Sequence, residues 1–127
     1  MALHRPNPIV RQLAGLRIPR RQAEDLARYG TPITVPAGAV LCTEGERGLQ
    51  AFLLLTGEAQ VHTAERVITV GPGEVLGELA TLDHRRTRNA TVVAHTEVEV
   101  LVFDARTYRS LASVDALHAR LVPARAA

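Results

Sequence analysis

Between Ile33 and Phe103 the apolar residues come in short β-branched runs every eight to twelve residues, and glycine or proline marks most of the gaps. This rhythm constrains the chain more than any other feature. Runs of three to six residues cannot form packed helices, but they suit strands that reverse at tight turns. The runs are Ile33 to Val35, Val40 to Cys42, Ala51 to Leu55, Ala59 to His62, Val67 to Val70, Thr91 to Ala94 and Val98 to Phe103. Turns separate them at Pro36-Ala37-Gly38, Glu44-Gly45-Glu46, Thr56-Gly57-Glu58 and Gly71-Pro72-Gly73, with Gly38, Gly45, Gly57 and Gly71 expected in backbone conformations that glycine tolerates best. In the last run Val98, Val100 and Val102 alternate with Glu97 and Glu99, which predicts a strand with one covered face.

The period changes on both sides of this region. Ile9, Leu13 and Leu16 form a helical stripe, and Pro19 opens a second segment carrying Ala23, Leu26 and Ala27. After Asp104, an expected N-cap, Tyr108, Leu111 and Ala112 and then Val114, Leu117 and Leu121 return to helical spacing until Pro123. The reading is an α+β fold: an antiparallel, jelly-roll-like β roll flanked by short N- and C-terminal helices. It occupies one domain, residues 1–127, with helices about 8–29, the roll about 31–103 including a short helix near 77–81, and helices about 104–122.

Composition then removes several functions. Aromatic residues make up 3% of the chain and tryptophan is absent, too few for a base-stacking platform. Fifteen basic residues, all arginine, oppose 13 acidic ones and are scattered along the sequence, so direct nucleic-acid binding is not expected. Cys42 is alone, which excludes an internal disulfide, and its apolar neighbours predict a buried thiol. The histidines stand singly with no metal-ligand spacing, and no nucleophile has an evident base and orienting group, so neither a metal site nor an enzyme is expected. No apolar stretch reaches the roughly 18 to 20 residues of a membrane span, and the expectation is a soluble, cytoplasmic protein.

The segment from Leu76 to Ala94 carries the binding chemistry. Gly77, Glu78, Leu79 and Ala80 read as one helical turn whose exposed N–H groups attract an anion. Arg88 supplies a planar guanidinium for two phosphate oxygens, and the Glu78 carboxylate suits a sugar hydroxyl. The plainer alternative is an ion pair between Glu78 and Arg88 that braces a loop, worth no more than about 1 kcal/mol if exposed.

Four motifs in order give the chain a family resemblance: PAGAVLCTEGERG at Pro36 to Gly48, FLLLTGEAQV at Phe52 to Val61, VGPGEVLGELATL at Val70 to Leu82, and RNATVVA at Arg88 to Ala94. The arrangement resembles the cyclic nucleotide-binding domain shared by catabolite-activator-like regulators, protein kinase A regulatory subunits and cyclic nucleotide-gated channels. The resemblance implies that Gly77, Glu78, Leu79 and Ala80 form the phosphate-binding cassette, with Glu78 on the ribose 2'-hydroxyl and Arg88 on the phosphate. It also implies that the backbone N–H groups of Asn89 and Ala90 face the phosphate. Asn89 stands where a hydroxylated residue in some relatives helps distinguish cGMP from cAMP, and Gly48-Leu49 stands where many relatives have a Gly-Asp pair.

The same resemblance implies cAMP ahead of cGMP as the ligand. Leu79 or Leu82 would free or capture a C-terminal helix near Leu111 to Leu121, and a separate effector protein would read the change. No cofactor is implied, and homodimerisation is compatible with the family. The competing reading is a nucleotide-independent protein-interaction scaffold with the same roll.

Overall fold

The computed structural model describes residues 7–77 and 87–112. The N-terminal helices begin and end for local reasons. In α1 (Pro8–Gly15) the Asn7 side chain accepts the Ile9 N–H at 2.8 Å, and proline fills the first helical position, where no N–H is needed. The helix ends with Arg17 in the left-handed conformation (φ 65°). There Arg17 N–H donates to Ala14 and Ile18 N–H donates to Leu13, the pairing of a Schellman cap. Pro19 then caps α2 (Arg20–Tyr29), which buries Ala23 and Leu26.

Eight strands follow: β1 (Thr31–Val35), β2 (Val40–Cys42), β3 (Gln50–Thr56), β4 (Ala59–His62), β5 (Val67–Val70), β6 (Val75–Leu76), β7 (Thr91–Ala94) and β8 (Val98–Asp104). They pair antiparallel in two four-stranded sheets, ordered β1-β8-β3-β6 and β2-β7-β4-β5. A last described helix, α3 (Ala105–Ala112), starts where the Asp104 carboxylate accepts the Thr107 N–H at 2.7 Å. The α+β roll with flanking helices is therefore present. The helix expected near 77–81 falls, from Glu78 onward, outside the described residues. So does the C-terminal helix beyond Ala112, with Val114, Leu117 and Leu121.

Two apolar clusters hold the elements together. Leu54, Val61, Val92, Ala94, Val98 and Val100 meet between the sheets, joined by Cys42 and Ala90. On the outer face of the first sheet Leu53, Leu101 and Phe103 pack under Leu13, Leu26 and Tyr108 of the helices. The second cluster corrects the expectation that β8 has one covered face: Val98 and Val100 point into the roll, while Leu101 and Phe103 lie buried beneath the helices. Glu99 shares that outer face as a partly buried acceptor for Gln12 and Thr56. A strand covered on both faces reads as a nearly continuous apolar run. The same holds for β3, where a register shift between Leu54 and Thr56 also interrupts alternation.

The turns explain two further details. Gly57 has φ 85°, and a Cβ there would run into the Glu97 carbonyl, so this turn admits glycine alone. Positive φ also occurs at Gly38 and Gly45, but of the pair around Pro72 it is Gly73 and not Gly71 that adopts it. β6 was not anticipated. Two residues are too short to show alternation, and their pairing with Phe52 and Leu53 is what reveals them.

Candidate phosphate-binding site

The site forms where the end of β6 meets the start of β3 and the approach to β7. One loop, between β2 and β3, holds the main chain of Arg88: its N–H donates to the Glu46 carbonyl at 2.7 Å, and its own carbonyl accepts the Gly45 N–H at 2.9 Å. The Thr91 hydroxyl accepts the Glu44 N–H at 3.0 Å and fixes the same loop. Thr87 and Arg47 form an isolated antiparallel bridge beside it. Arg88 is thus placed by backbone contacts before its side chain makes any.

The guanidinium is buried, with 7% of the residue exposed, and is the one charged group buried among the described residues. Nη1 donates to the Gly77 carbonyl at 2.6 Å and Nη2 to the Gln50 carbonyl at 2.7 Å. Two of its five N–H donors are thereby engaged among the described residues, which leaves donors of the same planar fork for another acceptor. Among the described residues the ion pair is Arg20 with Glu24, far along the chain from Arg88, whose charge is met there by carbonyl dipoles. A buried guanidinium held by neutral carbonyls can also donate a charge-assisted hydrogen bond to an anion.

Gly77 completes the cradle. Its φ is 78°, and a Cβ at this position would collide with Nη1 of Arg88 and lie 3.3 Å from the Cys42 sulfur. Cys42 is buried, as expected, and it forms part of the wall beside Gly77. Ala90 places its methyl in the core between the sheets, whereas Asn89 is exposed. Of the residues singled out in sequence, Gly77, Arg88, Asn89 and Ala90 lie around this point, and Gly77 touches Arg88 directly. Glu78, Leu79 and Ala80 lie outside the described residues. The roles of Gly45, Glu46 and Gln50 were missed because main-chain carbonyls and N–H groups leave no side-chain signal. Leu49, where the resemblance implies an acid, is 70% exposed, and its carbonyl accepts the Ala105 N–H at 2.9 Å.

A glycine cradle around a buried arginine, set in an antiparallel roll, coincides with a match to the family model for the cyclic nucleotide-binding domain over residues 32–115. The chain belongs to the cyclic nucleotide-binding domain family. It is 38% identical over 89 residues to a cyclic nucleotide-gated potassium channel of Rhizobium etli, covering 70% of this chain and 25% of the channel. It is 35% identical over 92 residues to a cAMP-dependent protein kinase regulatory subunit of Schizosaccharomyces pombe, covering 71% of this chain and 22% of that subunit. The solved structure of cAMP-bound PfPKA-R superimposes with a TM-score of 0.72 at 26% identity, over 87% of this chain and 40% of that one. The chain spans about a quarter of the length of these curated relatives. Among the described residues of this cyclic nucleotide-binding domain, no helix is long and apolar enough to cross a membrane, and no group of three or more His, Cys, Asp or Glu side chains is placed to hold a metal.

Proposed function

We propose that this domain binds a cyclic nucleotide, cAMP in preference to cGMP, and acts as a regulatory sensor that does no chemistry on its ligand. The observation that carries the reading is the buried Arg88 guanidinium, aimed by two carbonyls and pressed against a glycine with no room for a side chain. In this reading Arg88 binds the cyclic phosphate, assisted by backbone N–H groups of Gly77, Leu79, Ala80, Asn89 and Ala90, and Glu78 accepts the ribose hydroxyl. The preference for cAMP is supported by likeness to a cAMP-dependent protein kinase regulatory subunit and to the cAMP-bound PfPKA-R structure.

The bound state would be relayed through the helices to an effector protein. That relay requires the nucleotide to favour one helix arrangement over another, because a ligand shifts an equilibrium only by its differential affinity. Thermal unfolding tests the binding step. Cyclic nucleotide at about 100 times its dissociation constant should stabilise the fold by about 2.7 kcal/mol, with cAMP effective at lower concentration than cGMP and 5'-AMP inert. Unchanged melting with both cyclic nucleotides at millimolar levels would instead favour the nucleotide-independent scaffold.

A further inference from the structure

The arginines that are scattered in sequence are gathered by the fold. α1, α2, the turn between them and α3 form one layer on the outer face of the first sheet. Among the described residues this layer exposes Arg11, Arg17, Arg20, Arg21, Arg28, Arg106 and Arg109 against three carboxylates: Glu24, the half-buried Asp25 and the α3 N-cap Asp104. Glu24 is already paired with Arg20 at 3.1 Å. Among the described residues the loops of the roll have the opposite bias: Glu44, Glu46, Glu58, Glu65, Glu74 and Glu97 stand against Arg47 and Arg66. The described residues thus divide into a basic helical layer and acidic loops of the roll.

We propose that the basic helical layer of one copy docks on the acidic turns of a second copy, in a head-to-tail association. The counter-surface is the corner where Glu58 and Glu97 sit on adjoining turns, tied together by Glu58 N–H donating to the Thr96 hydroxyl at 3.0 Å and His95 N–H donating to the Glu58 carbonyl at 2.9 Å. Charge complementarity selects a second copy over other anionic partners. A nucleic acid or lipid surface drawn to the layer is opposed by the acidic roll, whereas a second copy satisfies both poles, and the small net charge leaves little repulsion between copies. Among the described residues the helical layer exposes one large apolar side chain, Tyr29, so it has little to insert into a bilayer. Arginine suits the role because its planar fork donates two parallel hydrogen bonds to one carboxylate. In the head-to-tail arrangement the layer of each copy meets the roll corner of the next, a heterologous contact.

Sedimentation velocity of the protein over a concentration series tests this. The expected result is a rise in weight-average mass at about 10 mM salt, where charges act over about 30 Å, that disappears at about 150 mM or above, where they act over about 8 Å. Arg11→Glu with Arg21→Glu in one variant, and Glu58→Arg with Glu97→Arg in another, should each be monomeric alone and associate when mixed. A wild type that stays monomeric at low salt would overturn the proposal, as would association that persists at high salt or in the variants alone. Binding of duplex DNA or phosphatidylserine vesicles through Arg11 and Arg21 while the chain remains monomeric would assign the layer to that partner and also overturn it.

Discussion

At the scale of single residues, the site depends on what glycine omits. Gly38 and Gly77 both have positive φ, so an alanine at either position meets the left-handed penalty of about 1–2 kcal/mol. Around Gly38 a Cβ would find open space, but at Gly77 it would also displace the Arg88 guanidinium. Gly77→Ala should therefore lose more stability in urea than Gly38→Ala and weaken nucleotide binding, while Gly38→Ala leaves binding unchanged. Equal effects of the two on affinity would mean that Gly77 serves only the turn. Asp104 supplies a second residue-level prediction. Its carboxylate is held below the ordinary value of 3.8, chiefly by the hydrogen bond from the Thr107 N–H. A depressed folded pKa means that this stabilisation is present above the unfolded value and is lost as pH falls through the lowered folded value. Asp104→Ala should cost about 0.5–2 kcal/mol near neutral pH. Thermal unfolding of the two proteins should converge as the pH drops below the ordinary carboxyl value, and a gap that stayed constant with pH would refute the capping role. Arg88 and Gly77 were legible in sequence as charge and turn, but the carbonyls of Gln50 and Glu46 that orient Arg88 were not.

At the scale of elements, the strands that alternate with turns were readable because each run is short and bounded. β6 escaped because two residues carry no period, and β8 was assigned one covered face because its valines alternate with glutamates at its start. The buried Leu101 and Phe103 depend on helices that pack from a distant part of the sequence, which local pattern does not report. The end of α1 is a further case. Arg17 takes a left-handed position usually given to glycine, and its side chain is exposed. Arg17→Gly should raise stability by on the order of 0.5–1 kcal/mol, the relief of left-handed strain exceeding the added entropy of an unfolded glycine. A loss of stability in urea denaturation would show that the arginine makes a favourable contact outweighing its backbone strain.

At the scale of the whole molecule, the roll and the helical layer share the first sheet. β3 and β8 bury one face in the roll and the other under the helices, so a ligand at the β3–β6 junction and a helix on the outer face act on the same strands. That continuity gives the proposed sensor a contiguous packed route from site to surface. The charge separation between layer and roll is equally a property of the fold, since the arginines appear scattered until the helices bring them to one side. Calorimetric titration of cAMP into the wild type and into Arg88→Ala, with Arg88→Lys as a partner that keeps the charge, addresses the central claim most directly. Loss of a charge-assisted contact worth about 1.5–3 kcal/mol predicts roughly ten- to hundredfold weaker binding for the folded alanine variant, with lysine recovering only part of it. Equal affinity in all three proteins would contradict the assignment of Arg88 to the phosphate.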